Sequence, residues 1–262
     1  MNGVQRVALE LAYLGGGFAG WQRQPGARTV QGDLEAALAA LYRTPVAVVG
    51  AGRTDAGVHA AGQVAHFDPP FAIPPSGIRS ALNAALASDV RVLRARAVPA
   101  AFHARRGAAG KRYRYRLSWG APLLPWEALR RASLPARPDV ALMAAVLPGV
   151  EGEHDFRAFA LAGHSGRGAR GTVRNVAAAR LVARGRRLDV VLEGDGFLRG
   201  MVRRVVGALL EVGRGAQPPE WFAALVSESD TRPPAPTAPA HGLTLERGFY
   251  AERQSSPTHP TS

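Results

Sequence analysis

Apolar and polar residues alternate from Arg6 to Tyr13, with Val7, Leu9, Leu11 and Tyr13 on one face and Arg6 and Glu10 on the other, the period of a half-buried strand. The order of elements after it constrains the fold more than any single motif does. Thr29 precedes a helix in which Val30, Leu34, Ala37, Leu38 and Leu41 recur at spacings of three and four, with Asp33 in its first turn. Strands are predicted at 46–51 and 63–67, a helix at about 76–86 and a strand at 90–98. That order is β-α-β-β-α-β, the split βαβ arrangement of ferredoxin-like folds. It returns without visible sequence repetition: a strand at 111–119, a helix near 139–147, strands at 172–183 and 187–192, a helix at 197–212 and a strand at 243–250. We therefore expect an α+β, sandwich-like protein of two ferredoxin-like halves with largely antiparallel sheets, meeting at a basic cleft. The halves are residues 1–105 and 106–253, with a disordered tail at 254–262. Segments 163–171, rich in Gly and Arg, and 232–239, rich in Pro, read as loops.

Charge narrows the partner. The net charge is +13, and Lys111 is the only lysine, so arginine supplies almost all of it. So basic a chain expects a polyanion, nucleic acid first. A GC-rich genome is the competing explanation; it accounts for Arg in place of Lys but not for the excess of positive over negative charge. The absence of cysteine excludes disulfides and thiolate metal sites. Residues 1–20 carry Arg6 and Glu10 within their apolar part and lack the order of a signal peptide, and no run of about 18 apolar residues exists. A cytoplasmic protein with no membrane contact is expected.

Three places carry chemistry. Gly50 to Gln63 sets one carboxylate, Asp55, in a glycine-rich turn beside Arg53. An opposite charge within a few ångströms favours the ionised carboxylate, which is then a nucleophile, and the glycines admit a large substrate close to the backbone. The alternative is that Asp55 only caps its turn through an Asx hydrogen bond. In the strand at 111–119, Tyr113, Tyr115, Leu117 and Trp119 fall on one face and Arg112, Arg114 and Arg116 on the other. A row of arginines fits a phosphate backbone and a tyrosine can stack on an unpaired base; a core face backed by solvated charge is the competing reading. In the helix at 197–212, Gly200, Arg203 and Gly207 share one surface, which lets another backbone approach and aims Arg203 at a partner, so that it is expected to hold Asp55 by a bidentate pair across the cleft. An ordinary exposed arginine is the alternative.

One motif is a decoy. Gly15 to Gly20 matches G-x-G-x-x-G after a strand, but Pro25 and Gly26 separate it from the helix that a dinucleotide fingerprint must open. The seven histidines show no H-E-x-x-H spacing, so no zinc site is read, and His59, His66, His103 and His154 are expected in packing or RNA contact. No Walker A sequence or nucleophile elbow is present.

Taken together, the pieces resemble the tRNA pseudouridine synthase A family from about residue 4 to 250. They are Gly52-Arg53-Thr54-Asp55-Ala56-Gly57-Val58-His59-Ala60 with Gly62-Gln63-Val64, residues 13–24, Thr29-Val30-Gln31, Phe102-His103-Ala104-Arg105, Lys111-x-Tyr113-x-Tyr115, Gly152-x-His154-Asp155-Phe156, Gly196-Phe197-Leu198 with Met201-Val202-Arg203, and Thr237-Ala238-Pro239 with Gly242-Leu243. The resemblance implies conversion of uridine to pseudouridine at positions 38, 39 and 40 in the anticodon arm of tRNA, by a homodimer that needs no cofactor and no metal. It implies Asp55 as nucleophile, Tyr113 packed against the target base, Arg203 paired with Asp55, and Arg53 displacing or replacing the flipped base. Asp195, Asn175 and Thr244 depart from the family's more usual Asn, Thr and Tyr, which puts local RNA contacts in question rather than activity.

Overall fold

The computed structural model describes residues 5–161, 170–228 and 234–250. In the first half, β1 (Arg6–Tyr13) is followed by α1 (Val30–Tyr42), β2 (Val49–Gly50), β3 (His59–Phe67), α2 (Pro75–Ala85) and β4 (Val90–Val98). The second half runs β5 (Ala108–Trp119), α3 (Pro125–Ala128), β6 (Ala132–Leu134), α4 (Val140–Val146), β7 (Gly152–Asp155), β8 (Val173–Arg184), β9 (Arg187–Gly194), α5 (Met201–Gly213), α6 (Pro219–Ser227) and β10 (Leu243–Tyr250). These strands form one sheet in the order β4-β1-β3-β10-β5-β9-β8-β7, with β2 on β3 and β6 on β5. All pairings are antiparallel except β10 with β3 and β5 with β6. The α+β class and largely antiparallel sheet are those read from the sequence. The last strand of the chain lies between the two halves: β10 pairs with β5 and, through Thr244↔His59 and Leu245↔Ala60, with β3.

Local chemistry explains the elements. Val7, Leu9, Leu11 and Tyr13 are buried while Arg6 and Glu10 stay partly exposed, as the alternation requires. The Thr29 hydroxyl accepts from the Gly32 N–H at 3.2 Å and caps α1; Asp139 caps α4 in the same way through Leu142 N–H at 3.0 Å. The helix expected from 197 starts at Met201, because Gly200 sits at φ +72°, a left-handed conformation outside a helix. Phe197 is thereby released to pack its ring edge-on against Tyr113, centroids 5.2 Å apart. The expected tail at 254–262, most of the 163–171 loop and the start of the 232–239 loop lie outside the described residues.

The cationic face of β5 is not a bare phosphate track. Arg112 pairs with Glu193 at 2.8 Å, Arg114 with Glu246 at 2.5 Å and Asp189 at 3.1 Å, and Arg116 donates to Thr244 Oγ1 at 3.0 Å. The strands flanking β5 bring carboxylates into register with its arginines, which the sequence of β5 alone does not reveal.

Candidate active site

Residues 51–58 join β2 to β3 and carry Asp55. The glycine decoy turns out to be the cradle of this loop. Gly15 packs so closely that an added Cβ would lie 2.1 Å from the Val58 carbonyl oxygen, and one at Gly20, held at φ +97°, would lie 2.7 Å from the Thr54 oxygen. Trp21 N–H donates to Thr54 O at 3.1 Å, and the Thr54 hydroxyl shares a 2.9 Å hydrogen bond with Tyr13. Gln63 donates to Gly52 O at 2.8 Å from inside the core. At the other end, Gly15 N–H donates to His59 Nδ1 at 2.9 Å. His59 Nε2 therefore carries the ring proton and donates to His241 O at 3.1 Å, tying the loop to the second half. His59 serves packing, one of the two roles expected of it.

The loop's own backbone is thus fixed, and the Asp55 carboxylate looks across to α5. Arg203 Nη1 lies 3.4 Å from one carboxylate oxygen and Arg199 Nε 3.7 Å from the other. Among the described residues, no backbone N–H donates to the Asp55 side chain, so the Asx-turn alternative is not what holds it. Asp55 and Arg203 are about one-fifth exposed, whereas Arg199 is more than half exposed. The Arg203 contact is single, not the bidentate fork expected: Nη1 alone meets Asp55, while Nε donates to Ala238 O at 2.8 Å. The Ala238 N–H returns a 3.0 Å hydrogen bond to Arg203 O. Gly207 explains the approach, since a Cβ there would lie 2.0 Å from Pro236 O.

Tyr113 lies on the buried face of β5, near enough to Asp55 for the carboxylate to act on it. Burial above all, then its coupling to the neighbouring Tyr13 phenol and the nearby Asp55 carboxylate, push its hydroxyl well above the usual phenol range, so it stays protonated. Arg53 is exposed and donates to Gln22 Oε1 at 3.1 Å rather than to Asp55. The structure therefore brings Asp55, Tyr113 and Arg203 together and leaves Arg53 at the rim of the loop. Arg199 was not singled out from the sequence, and Gly15–Gly20 was read there as a decoy and as part of the resemblance, not as the cradle of the Asp55 loop. Their spacing gives no sign of it, because they meet Asp55 only in three dimensions.

A family model for tRNA pseudouridine synthase matches residues 11–105 and 149–251. The chain belongs to the tRNA pseudouridine synthase family. The matched segments contain Arg53, Asp55 and Arg203, and Tyr113 lies between them. Curated relatives extend the likeness to nearly the whole chain. A tRNA pseudouridine synthase A of Frankia casuarinae is 44% identical, over 93% of this chain and 89% of its own. A tRNA pseudouridine synthase A 1 of Desulfotalea psychrophila is 40% identical over 94% of this chain and 100% of its own, as is a tRNA pseudouridine synthase A of Lysinibacillus sphaericus. As a tRNA pseudouridine synthase, the protein is an RNA uridine isomerase. No helix among the described residues is long and apolar enough to cross a membrane, and none of their His, Asp and Glu side chains gather in a group of three suited to a metal ion.

Proposed function

We propose that the protein isomerises uridine to pseudouridine at positions 38, 39 and 40 of the tRNA anticodon arm, with Asp55 as the nucleophile. The observation that carries this is the Asp55 carboxylate, held by its loop between two arginines and acting on Tyr113, in a member of this family. The reaction breaks the N1–C1′ bond, turns the uracil and joins C5 to C1′. N1 gains a proton and C5 loses one. No oxidation state changes, so the chemistry calls on no redox cofactor. The carboxylate attacks C6 of the base or C1′ of the ribose, or draws a proton from C2′. In each route Arg203 aims the carboxylate, and neutral Tyr113 supplies a ring surface and a proton donor rather than a standing base.

The target base must leave its stack, at a cost of a few kcal/mol, which binding of the RNA backbone offsets. Arg53, exposed beside the loop, is suited to fill the gap the base leaves. With several neighbouring uridines as substrates, recognition relies on RNA shape and backbone more than on base edges. We place the cleft between residues 1–105, which supply Asp55, and 106–253, which supply Tyr113 and Arg203. The same reading has the enzyme work in the cytoplasm as a homodimer, an arrangement that its mass in solution tests; exposed Leu124, Trp126 and Leu129 offer an apolar contact surface. Mapping pseudouridine in tRNA after incubation with the purified protein tests the function. New pseudouridine confined to 38–40 supports it, and tRNA binding without any pseudouridine would leave a non-catalytic RNA-binding protein.

A further inference from the structure

Lys111 is the single lysine of the chain and lies two residues before Tyr113 on the same face of β5. Glycine surrounds it. Its partners across the sheet are Gly194 of β9 and Gly248 of β10, and its ammonium rests on Gly52 of the Asp55 loop, where an added Cβ would fall 2.5 Å from Nζ. A partly buried lysine ordinarily has a carboxylate beside it. Among the described residues, Lys111 has neither an ion pair nor a hydrogen-bond partner for its ammonium.

Its charged neighbours are cations instead. Arg105 and Arg174 both act on it, Arg105 in turn feels Arg53, and Arg174 feels Arg170. Among the described residues, the carboxylate that acts on this group is Asp195, which Arg170 already holds. Burial, then the repulsion of Arg105 and Arg174, lowers the Lys111 ammonium to about 8. Arg174 spends one guanidinium nitrogen on the carbonyls of Gly171 and Val173, at 3.0 and 2.5 Å, which leaves its charge without a counter-anion among the described residues. Cations so placed are relieved when an anion enters, and a tetrahedral oxyanion can accept from an ammonium and two guanidiniums at once. An extruded nucleotide facing Asp55 and Tyr113 brings its own two phosphodiesters to this corner of the cleft.

We infer that Lys111, Arg105 and Arg174 form a phosphate subsite that grips one of the two phosphodiesters flanking the target uridine. The inference rests on the RNA-isomerase reading and adds to it a fixed point that sets which nucleotide of the strand reaches Asp55.

The test uses an anticodon stem-loop RNA whose linkage on the 5′ or the 3′ side of the target is an uncharged methylphosphonate. Each is compared with the same RNA bearing an ordinary phosphodiester there. Lys111→Gln is expected to weaken binding of the charged RNA about tenfold. With one of the two uncharged linkages, wild type and variant should bind alike, because the contact is already gone. Arg174→Gln, at a partly exposed position, should show the same loss of additivity even if Lys111→Gln folds poorly, and Lys111→Arg should recover much of the affinity. Unchanged binding by both glutamine variants, or losses that simply add for both linkages, overturns the subsite. Isomerisation of the unmodified stem-loop by wild type is measured alongside. If it fails, the enzymatic reading falls; if it succeeds while the losses add, only the subsite does.

Discussion

Arg203 meets Asp55 through one nitrogen while its Nε is committed to the Ala238 carbonyl, so one planar group braces the 234–239 segment and orients the carboxylate. An ammonium cannot span both acceptors. Arg203→Lys should therefore lower kcat about a hundredfold with little change in the KM for tRNA, a split that steady-state kinetics reads directly. His66 makes a different prediction. Its Nδ1 accepts from Ala104 N–H at 3.1 Å, and burial, followed by Arg6 and His103, lowers the imidazole to about 4. The unfolded chain takes up this proton near pH 6.5 and the folded one does not until about pH 4, so stability present above about 6.5 is lost as pH falls towards 4. His66→Asn keeps an acceptor and cannot titrate, and its Tm should vary less between about pH 7 and pH 4.5 than that of wild type; an equal slope would assign the acid loss elsewhere. At this scale the sequence was readable where a motif is contiguous, as around Asp55 and at Lys111-x-Tyr113. It was silent on Arg199, which meets Asp55 only in three dimensions, and it led to a bidentate fork at Arg203 where the structure has a single contact, because the Ala238 carbonyl that takes Nε lies far away in sequence.

Helix α5 owes its place to Gly207. In an isolated helix, Gly→Ala stabilises by about 1 kcal/mol. Here the new Cβ would strike Pro236 O, a backbone atom that cannot swing aside, and overpacking of that kind costs about 1–3 kcal/mol. Gly207→Ala should therefore destabilise the protein in urea unfolding and lower activity with it; a gain in stability would show that the 236–238 segment yields freely. The same logic explains which boundaries the sequence misplaced. β3 was expected from 63 and begins at His59, because Gly62 reads as a break while serving the close passage of β10: a Cβ there would lie 2.5 Å from Glu246 O. α6 went unread although Phe222, Leu225 and Val226 are buried at helical spacing behind Pro219 at its first position. Three-residue β6 and four-residue α3 are too short for any period to show.

For the whole molecule, the net charge of +13 survives the internal pairing of the β5 arginines, and a tRNA ligand should displace counterions from its own phosphates on binding. The affinity for tRNA is predicted to fall steeply and linearly on a logarithmic salt axis; a flat response would remove the basic cleft from recognition. The α+β class and the largely antiparallel sheet were legible because the long strands alternate and the long helices are amphipathic; the strands join in one sheet, and β6, β7, α3 and α6 stand beyond the β-α-β-β-α-β order read for residues 106–253. That β10 closes the second half and also bonds to β3 was not legible, since pairing between distant strands leaves no periodic trace. This joint sets the Asp55 loop, at the start of β3, against Tyr113 on β5 and Arg203 on α5. The most direct test of the account is Asp55→Asn, read with tRNA tritiated at C5 of uridine. Tritium release should vanish while tRNA affinity stays within about twofold of wild type, because the amide keeps the shape and loses the nucleophile. Release continuing at a substantial fraction of the wild-type rate would contradict it.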